Sequence, residues 1–230
     1  TYDNEANLAR AFMTTIIDKY KGTTAGRQEL EGELLDEVAG ALWTHQQIEA
    51  DRIRPDFLPA LSRIVVAVDP AVTAHEESDE TGIIAVGKDN QNPAHYYVLR
   101  DKSLRAKPFL WATAAVNLLE DLDGDRIIAE VNQGGDMVEH TIRMVNSNTP
   151  YAAVRASRGK LVRAEPISAL YEQRRVHHVG GFAELEDQMC NYVPGDDSPD
   201  RMDALVWAMT ELSSGAGAIV STPNEGMERE

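Results

Sequence analysis

The chain has 230 residues and an apolar fraction of 43%, enough to bury the core of one full domain plus an extension. No apolar stretch is long enough to span a bilayer and no signal-peptide pattern is present; the single cysteine, Cys190, excludes an internal disulfide and a cysteine-based zinc cluster and fits an intracellular setting. A formal charge of -16 argues against a protein that coats DNA by general electrostatics, because phosphate contacts rest on Lys and Arg.

Residues 1–62 are highly charged and read as helical. Leu8, Phe12, Ile16 and Tyr20 recur at near-helical spacing, and Leu34, Leu35, Val38 and Leu42 suggest a second helix. The stretch 52–59, with two prolines, reads as a linker. From Arg63 the pattern changes. Residues 64–69, 82–87 and 95–100 form three strand patterns, the last two separated by the turn residues 89–93. A helix over 107–122 stops at Asp123-Gly124, followed by a strand (126–131), a helix (134–146) and a strand (151–156). Helical segments at 167–174 and 182–192 flank a short strand at 176–179. A last helix has Ser198 as N-cap and Pro199 as first helical residue, and ends at Gly215. The order is that of an α/β domain over 63–214, an antiparallel meander and then parallel strands joined by right-handed crossovers. It is preceded by a helical extension (1–62) and followed by a mobile acidic tail (215–230).

Three carboxylates stand in apolar surroundings. Asp69 closes Ile64-Val65-Val66-Ala67-Val68, Glu130 is embedded in Ile127-Ile128-Ala129-Glu130-Val131, and Asp203 lies within Met202-Asp203-Ala204-Leu205-Val206-Trp207. Burying a carboxylate is costly unless a cation compensates it. By period-two alternation Val65, Ala67 and Asp69 share one strand face, as do Ile128 and Glu130. Strands one and four lying side by side would bring Asp69 near Glu130, and a helix over that face could deliver Asp203. Three acids in one pocket repel each other unless cations sit between them. Mg²⁺ and Mn²⁺ are the natural choices, as hard ions that take oxygen ligands, and two such ions suit phosphodiester hydrolysis. Each acid alone also has a plainer reading: Asp69-Pro70 as a strand end, Glu130 as the acidic end of a strand paired with Lys or Arg, Asp203 on a solvated helix flank. Asp200 reads first as a helix-start acid favoured by the dipole.

Asn132-Gln133-Gly134-Gly135 makes a tight strand-to-helix turn whose N–H groups could meet a phosphate. Residues 155–178 carry six basic residues (Arg155, Arg158, Lys160, Arg163, Arg174, Arg175) against two acids (Glu165, Glu172), a local reversal that could grip a nucleic-acid backbone. His177 and His178 alternate along a strand, so they cannot face one metal together and read as structural. Cys190, Trp111 and Trp207 read as packing residues. A G-x-x-x-x-G-K-[ST] phosphate loop is absent from the sequence.

Taken together, Asp69-Pro70-Ala71 with Asp79-Glu80-Thr81-Gly82, the run from Ala129 to Gly135, Lys160-Leu161-Val162-Arg163-Ala164-Glu165-Pro166, and the run from Ser198 to Ala208 resemble the nuclease domain of tailed-phage terminase large subunits. The resemblance covers about residues 63–213, and residues 26–35 look like the end of the preceding ATPase domain. It implies an RNase H-like fold, a five-stranded mixed sheet flanked by helices. It also implies a two-metal (Mg²⁺ or Mn²⁺) endonuclease that cuts concatemeric double-stranded viral DNA during genome packaging, in the host cytoplasm at the procapsid portal. The family's metal-binding acids fall on Asp69, Glu130 and Asp203, with Asp200 a candidate fourth. Lys160 and Arg163, with Arg158 beside them, fall where a DNA-facing basic motif is expected. The implied partners are double-stranded DNA, the terminase small subunit, the portal protein and the ATPase domain of the same polypeptide, with no membrane. For so acidic a fragment the expected DNA affinity is low and strongly salt-dependent. Another RNase H-like enzyme, such as a junction resolvase or an integrase-type recombinase, would share the acids but leaves residues 26–35 unexplained. An ATPase of the actin or sugar-kinase kind would need two such domains. A non-catalytic docking module of a packaging motor is the third alternative.

Overall fold

A computed structural model describes residues 38–70, 80–131, 135–155, 160–196 and 199–214. In chain order the elements are helix α1 (His45–Ala50), a 3₁₀ turn (Pro55–Phe57), strands β1 (Arg63–Asp69), β2 (Gly82–Lys88) and β3 (Tyr96–Asp101), helix α2 (Pro108–Asp121), β4 (Arg126–Glu130), α3 (Gly135–Val145), β5 (Tyr151–Val154), α4 (Lys160–Glu172), β6 (Val176–His178), α5 (Ala183–Asn191) and α6 (Asp200–Ser213). The sheet runs β5-β4-β1-β2-β3-β6. β1–β2 and β2–β3 pair antiparallel, whereas β1–β4, β4–β5 and β3–β6 pair parallel. The expected meander and crossovers are present, but the sheet has six strands rather than five. The short segment at 176–178 joins the edge beside β3, pairing Tyr96 with Val176 and Val98 with His178.

Alternation along the strands feeds two apolar layers. Val65, Ala67, Ile84, Val86, Val98 and Ile128 point to the side covered by α4, α5 and α6. Val66, Val68, Ile83, Ala85, Ile127 and Ala129 point to the side covered by α2 and α3. The central strands β1 and β2 are covered on both faces, which is why they read as continuous apolar runs.

Four local expectations are corrected. Residues 38–44 are not helical; the helix begins only at His45, where the Thr44 side chain accepts from the Gln47 N–H at 3.1 Å. Leu8, Phe12, Ile16, Tyr20, Leu34 and Leu35 lie outside the described residues. The stretch at 52–59 is built into the fold: Ile53 bridges Val179, and Trp43 and Ile48 upstream of it are buried in the core beside Tyr171 and Leu185. Helix α4 starts at Lys160 and runs through Pro166, whereas the expected helical segment begins at Ile167. The lost N–H bond is offset by burial of Ala164, Ile167 and Tyr171 on one face. Pro199 is the N-cap of α6 rather than its first helical residue, and α6 ends at Ser213. Ser198 and Gly215 lie outside the described residues.

Candidate metal centre

Parallel strands carry ligands beyond their carboxyl ends, and β1, β4 and β5 all point the same way. In the β1–β4 register Ala67 faces Ile128 and Val68 faces Ala129, so the next positions along are Asp69 and Glu130. Both continue the rows, Val65–Ala67 and Ile128, that face α6.

Helix α6 lies across β2, β1 and β4 and runs opposite to β1: Arg63, at the start of β1, pairs with Glu211 near the helix end. Its first turn, with Asp200 and Asp203, therefore lies at the Asp69 end. Gly82 sets how close it comes. Gly82 is the register partner of Asp69, and a Cβ there would overlap the backbone carbonyl of Asp200 and press on the Ala204 methyl. Only glycine permits that approach. The helix start is pinned further by Arg201, which donates to Glu80 (2.7 Å from Nε and from Nη2) and to Asp101 (2.6 Å) and pairs with Glu184. The Gln188 side chain accepts from the Arg201 N–H at 3.0 Å, an N-terminal donor the helix itself cannot satisfy. Asp203 is 4% exposed.

Glu130 is held by residues from two helices. The Trp207 indole N–H donates to Glu130 Oε2 at 2.6 Å. Trp207 lies one turn after Asp203 on the same helix face, and helical side chains lean toward the N-terminus, so it reaches the end of β4. Arg163, from α4, stacks its guanidinium 4.2 Å from the Trp207 ring centroid. Its Nη1 stands 3.8 Å from Glu130 Oε1, an ion pair beyond hydrogen-bond range. Both side chains are buried, and Arg163 Nε and Nη1 meet no hydrogen-bond acceptor among the described residues.

The fold thus brings Asp69, Asp200 and Asp203 to one end of the sheet and Glu130 beside them under Trp207 and Arg163. Among the described residues, no three His, Cys, Asp or Glu side chains are gathered closely enough to grip an ion as they stand. Lys160 opens α4; Arg158 and the 132–134 turn lie outside the described residues. The basic run at 155–178 is not one surface. Arg155 follows β5, at the same end as Asp69, whereas Arg174 and Arg175 precede β6 at the opposite end, bound to Asp51 and to the Ala94 carbonyl. Arg163 points into the molecule. His178 takes Tyr171 and Glu186, while His177 takes His95 and the Asp51 carbonyl, so the two serve different neighbours.

The model of the Terminase RNaseH-like domain matches residues 66–212. The chain belongs to that family. As a terminase RNaseH-like domain it carries the RNase H-like fold expected from the sequence. Among solved structures, it is similar to a variant nuclease domain of the large terminase subunit gp2 of bacterial virus Sf6 with manganese and beta-thujaplicinol. The two are 14% identical with a TM-score of 0.51, over 74% of this chain and 98% of that one. It is also similar to the large terminase of a thermophilic bacteriophage in complex with ADP, at 13% identity and a TM-score of 0.55, over 93% of this chain and 55% of that one. The terminase domain here thus spans about half the length of that second protein. At these identities the likeness is one of fold. No curated protein matches the chain in sequence.

The donors of this terminase domain fit a hard divalent ion in kind. Asp69, Glu130, Asp203 and Asp200 offer carboxylate oxygens alone, with no thiolate or imidazole among them. They also come from three elements whose ends the sheet register and Gly82 draw together. Sequence reasoning missed Trp207 and Gly82. A usable signal existed for Trp207: it lies four residues after Asp203, and a buried indole N–H needs an acceptor.

Proposed function

We propose that this domain is a metal-dependent endonuclease that cuts double-stranded viral DNA during genome packaging. The observation that carries the reading is the register placing Asp69 and Glu130 at the ends of adjacent parallel strands, beneath the helix that carries Asp203. Asp69, Glu130 and Asp203, with Asp200 at the helix start, would hold two Mg²⁺ or Mn²⁺ ions. Bound there, such ions supply Lewis-acid charge at the phosphate and lower the pKa of a water. The protein's own share is placement. Strands β1 and β4 fix two carboxylates in register, the Arg201 cluster fixes the first turn of α6, and the apolar layer beneath keeps water from the buried side of Glu130 and Asp203. Lys160, which opens α4, and Arg158 are the residues we assign to the DNA backbone.

Double-stranded DNA is the substrate, and the ATPase domain of the same polypeptide, the terminase small subunit and the portal protein are the partners, in the host cytoplasm at the procapsid portal. In this reading residues 63–214 are the nuclease domain, residues 1–62 lead into it with Trp43, Ile48 and Ile53 packed against it, and residues 215–230 form a tail. With a net charge of -16, the chain alone binds DNA weakly and loses affinity steeply with salt. Plasmid cleavage at low salt with Mn²⁺, Mg²⁺ or EDTA, beside Asp69→Ala, tests the activity. Nicking and linearisation that EDTA and the substitution both abolish are expected. Equal cutting by the variant would reject the acid site.

A further inference from the structure

Glu130 is tied on one oxygen only. Oε2 accepts the Trp207 N–H at 2.6 Å, whereas Oε1 receives no hydrogen bond among the described residues and faces Arg163 Nη1 at 3.8 Å. Both rings of contact depend on one indole. Its edge holds the carboxylate, and its face carries the guanidinium that supplies the nearby positive charge. Trp207 is itself 7% exposed, sits in the core with Ala204, Leu205 and Ala208, and so has little room to turn. A buried indole that served packing alone would need only some acceptor for its N–H; this one takes an oxygen of the acid in register with Asp69.

We propose that Trp207 is a positioning residue for Glu130, its N–H fixing Oε2 so that Oε1 is presented to a divalent cation. This rests on the metallonuclease reading above. The role resembles that of other groups that orient metal ligands from behind, whose loss costs about 10–100-fold in metal affinity. Arg163 is placed by the same ring, close enough to compensate Glu130 in charge yet without a hydrogen bond that would lock Oε1.

Trp207→Phe keeps most of the ring and removes the donor. Titration calorimetry with Mn²⁺ alone, on wild type, Trp207→Phe and Asp69→Ala, is expected to show affinity weakened about tenfold or more by Trp207→Phe, with thermal denaturation shifted by a few degrees at most. Unchanged Mn²⁺ affinity in Trp207→Phe overturns the inference. Mn²⁺ binding that is absent in wild type, or equal in wild type and Asp69→Ala, rejects the metallonuclease reading and the inference with it. Should Trp207→Phe fail to fold, wild-type protein labelled with ¹⁵N decides. Of its three tryptophans, one indole N–H is expected to resonate far downfield, to move on Mg²⁺ titration, and to lose both properties in Glu130→Gln. An indole spectrum that Mg²⁺ and Glu130→Gln leave unmoved overturns the proposal.

Discussion

Two buried glutamates in this domain are satisfied to very different degrees. Glu186, on α5, is 2% exposed and has both oxygens taken. Arg52 donates to Oε1 at 2.7 Å and to Oε2 at 2.9 Å, and the Phe182 N–H reaches Oε1 at 3.2 Å. His178 Nδ1 donates to Oε1 at 2.9 Å, while its Nε2 accepts from the Tyr171 hydroxyl. Burial pushes the Glu186 carboxyl up, but the hydrogen bonds from His178 and Arg52 and the guanidinium charge outweigh it and bring it down to about 2. Glu130 has one indole N–H and a guanidinium held off at 3.8 Å. A saturated buried carboxylate is a fastener: it ties the 51–53 segment and β6 to α5. Glu130, with one oxygen and two neighbouring donors unmatched among the described residues, is the carboxylate to which the proposed function gives an incoming cation.

The comparison is tested most severely at Glu130. Under the proposed function, Glu130→Gln is expected to reduce cleavage by roughly 10³-fold, since the divalent ions it would help hold would contribute several kcal/mol to the reaction, while leaving the melting temperature close to wild type. Arg52→Ala should do the reverse. It strands a buried charge, which costs about 3–5 kcal/mol, and the melting temperature should fall by on the order of 10 °C while the folded fraction, assayed in the cold, still cuts DNA.

The acid side sharpens the same contrast. Glu186 is depressed in the fold, so its stabilising share is full above its unfolded value of 4.5 and disappears as pH falls from there toward about 2. Burial also lowers the His178 imidazole below 6.5, so the fold favours its neutral form and loses stability as pH drops beneath that value. Urea denaturation at pH 7, 5 and 3.5 should therefore show a monotonic fall, to which Glu186 contributes about 1 kcal/mol by pH 3.5, a share that Arg52→Ala diminishes below pH 4.5. Smallest is Gly82→Ala. An added methyl must push α6 off β2 at a cost of about 1–3 kcal/mol, and cleavage should fall more than stability does, because Asp200 and Asp203 move with the helix.

The strands and the acids were legible because both depend on local pattern. Apolar runs closed by Asp69 and Glu130 give the β1 and β4 rows, and alternation alone puts both acids on the α6 side. What stayed hidden depends on pairs distant in sequence. No periodicity announces that Arg52 meets Glu186, that α4 carries the basic run from one end of the sheet to the other, or that Arg163 turns inward onto Trp207. The start of α4 at Lys160 is not legible because the cost of Pro166 is local, whereas the burial of Ala164, Ile167 and Tyr171 that offsets it is tertiary. Gly82 opens the second strand pattern, and its necessity appears only once α6 lies against it.

The most direct measurement is plasmid cleavage in Mn²⁺ by wild type, Glu130→Gln and Glu186→Gln, each at a temperature where denaturation curves show it folded. The account predicts that Glu186→Gln cuts at a rate near wild type despite its lower stability, and that Glu130→Gln, though stable, does not cut. Cleavage by Glu130→Gln at the wild-type rate would contradict it.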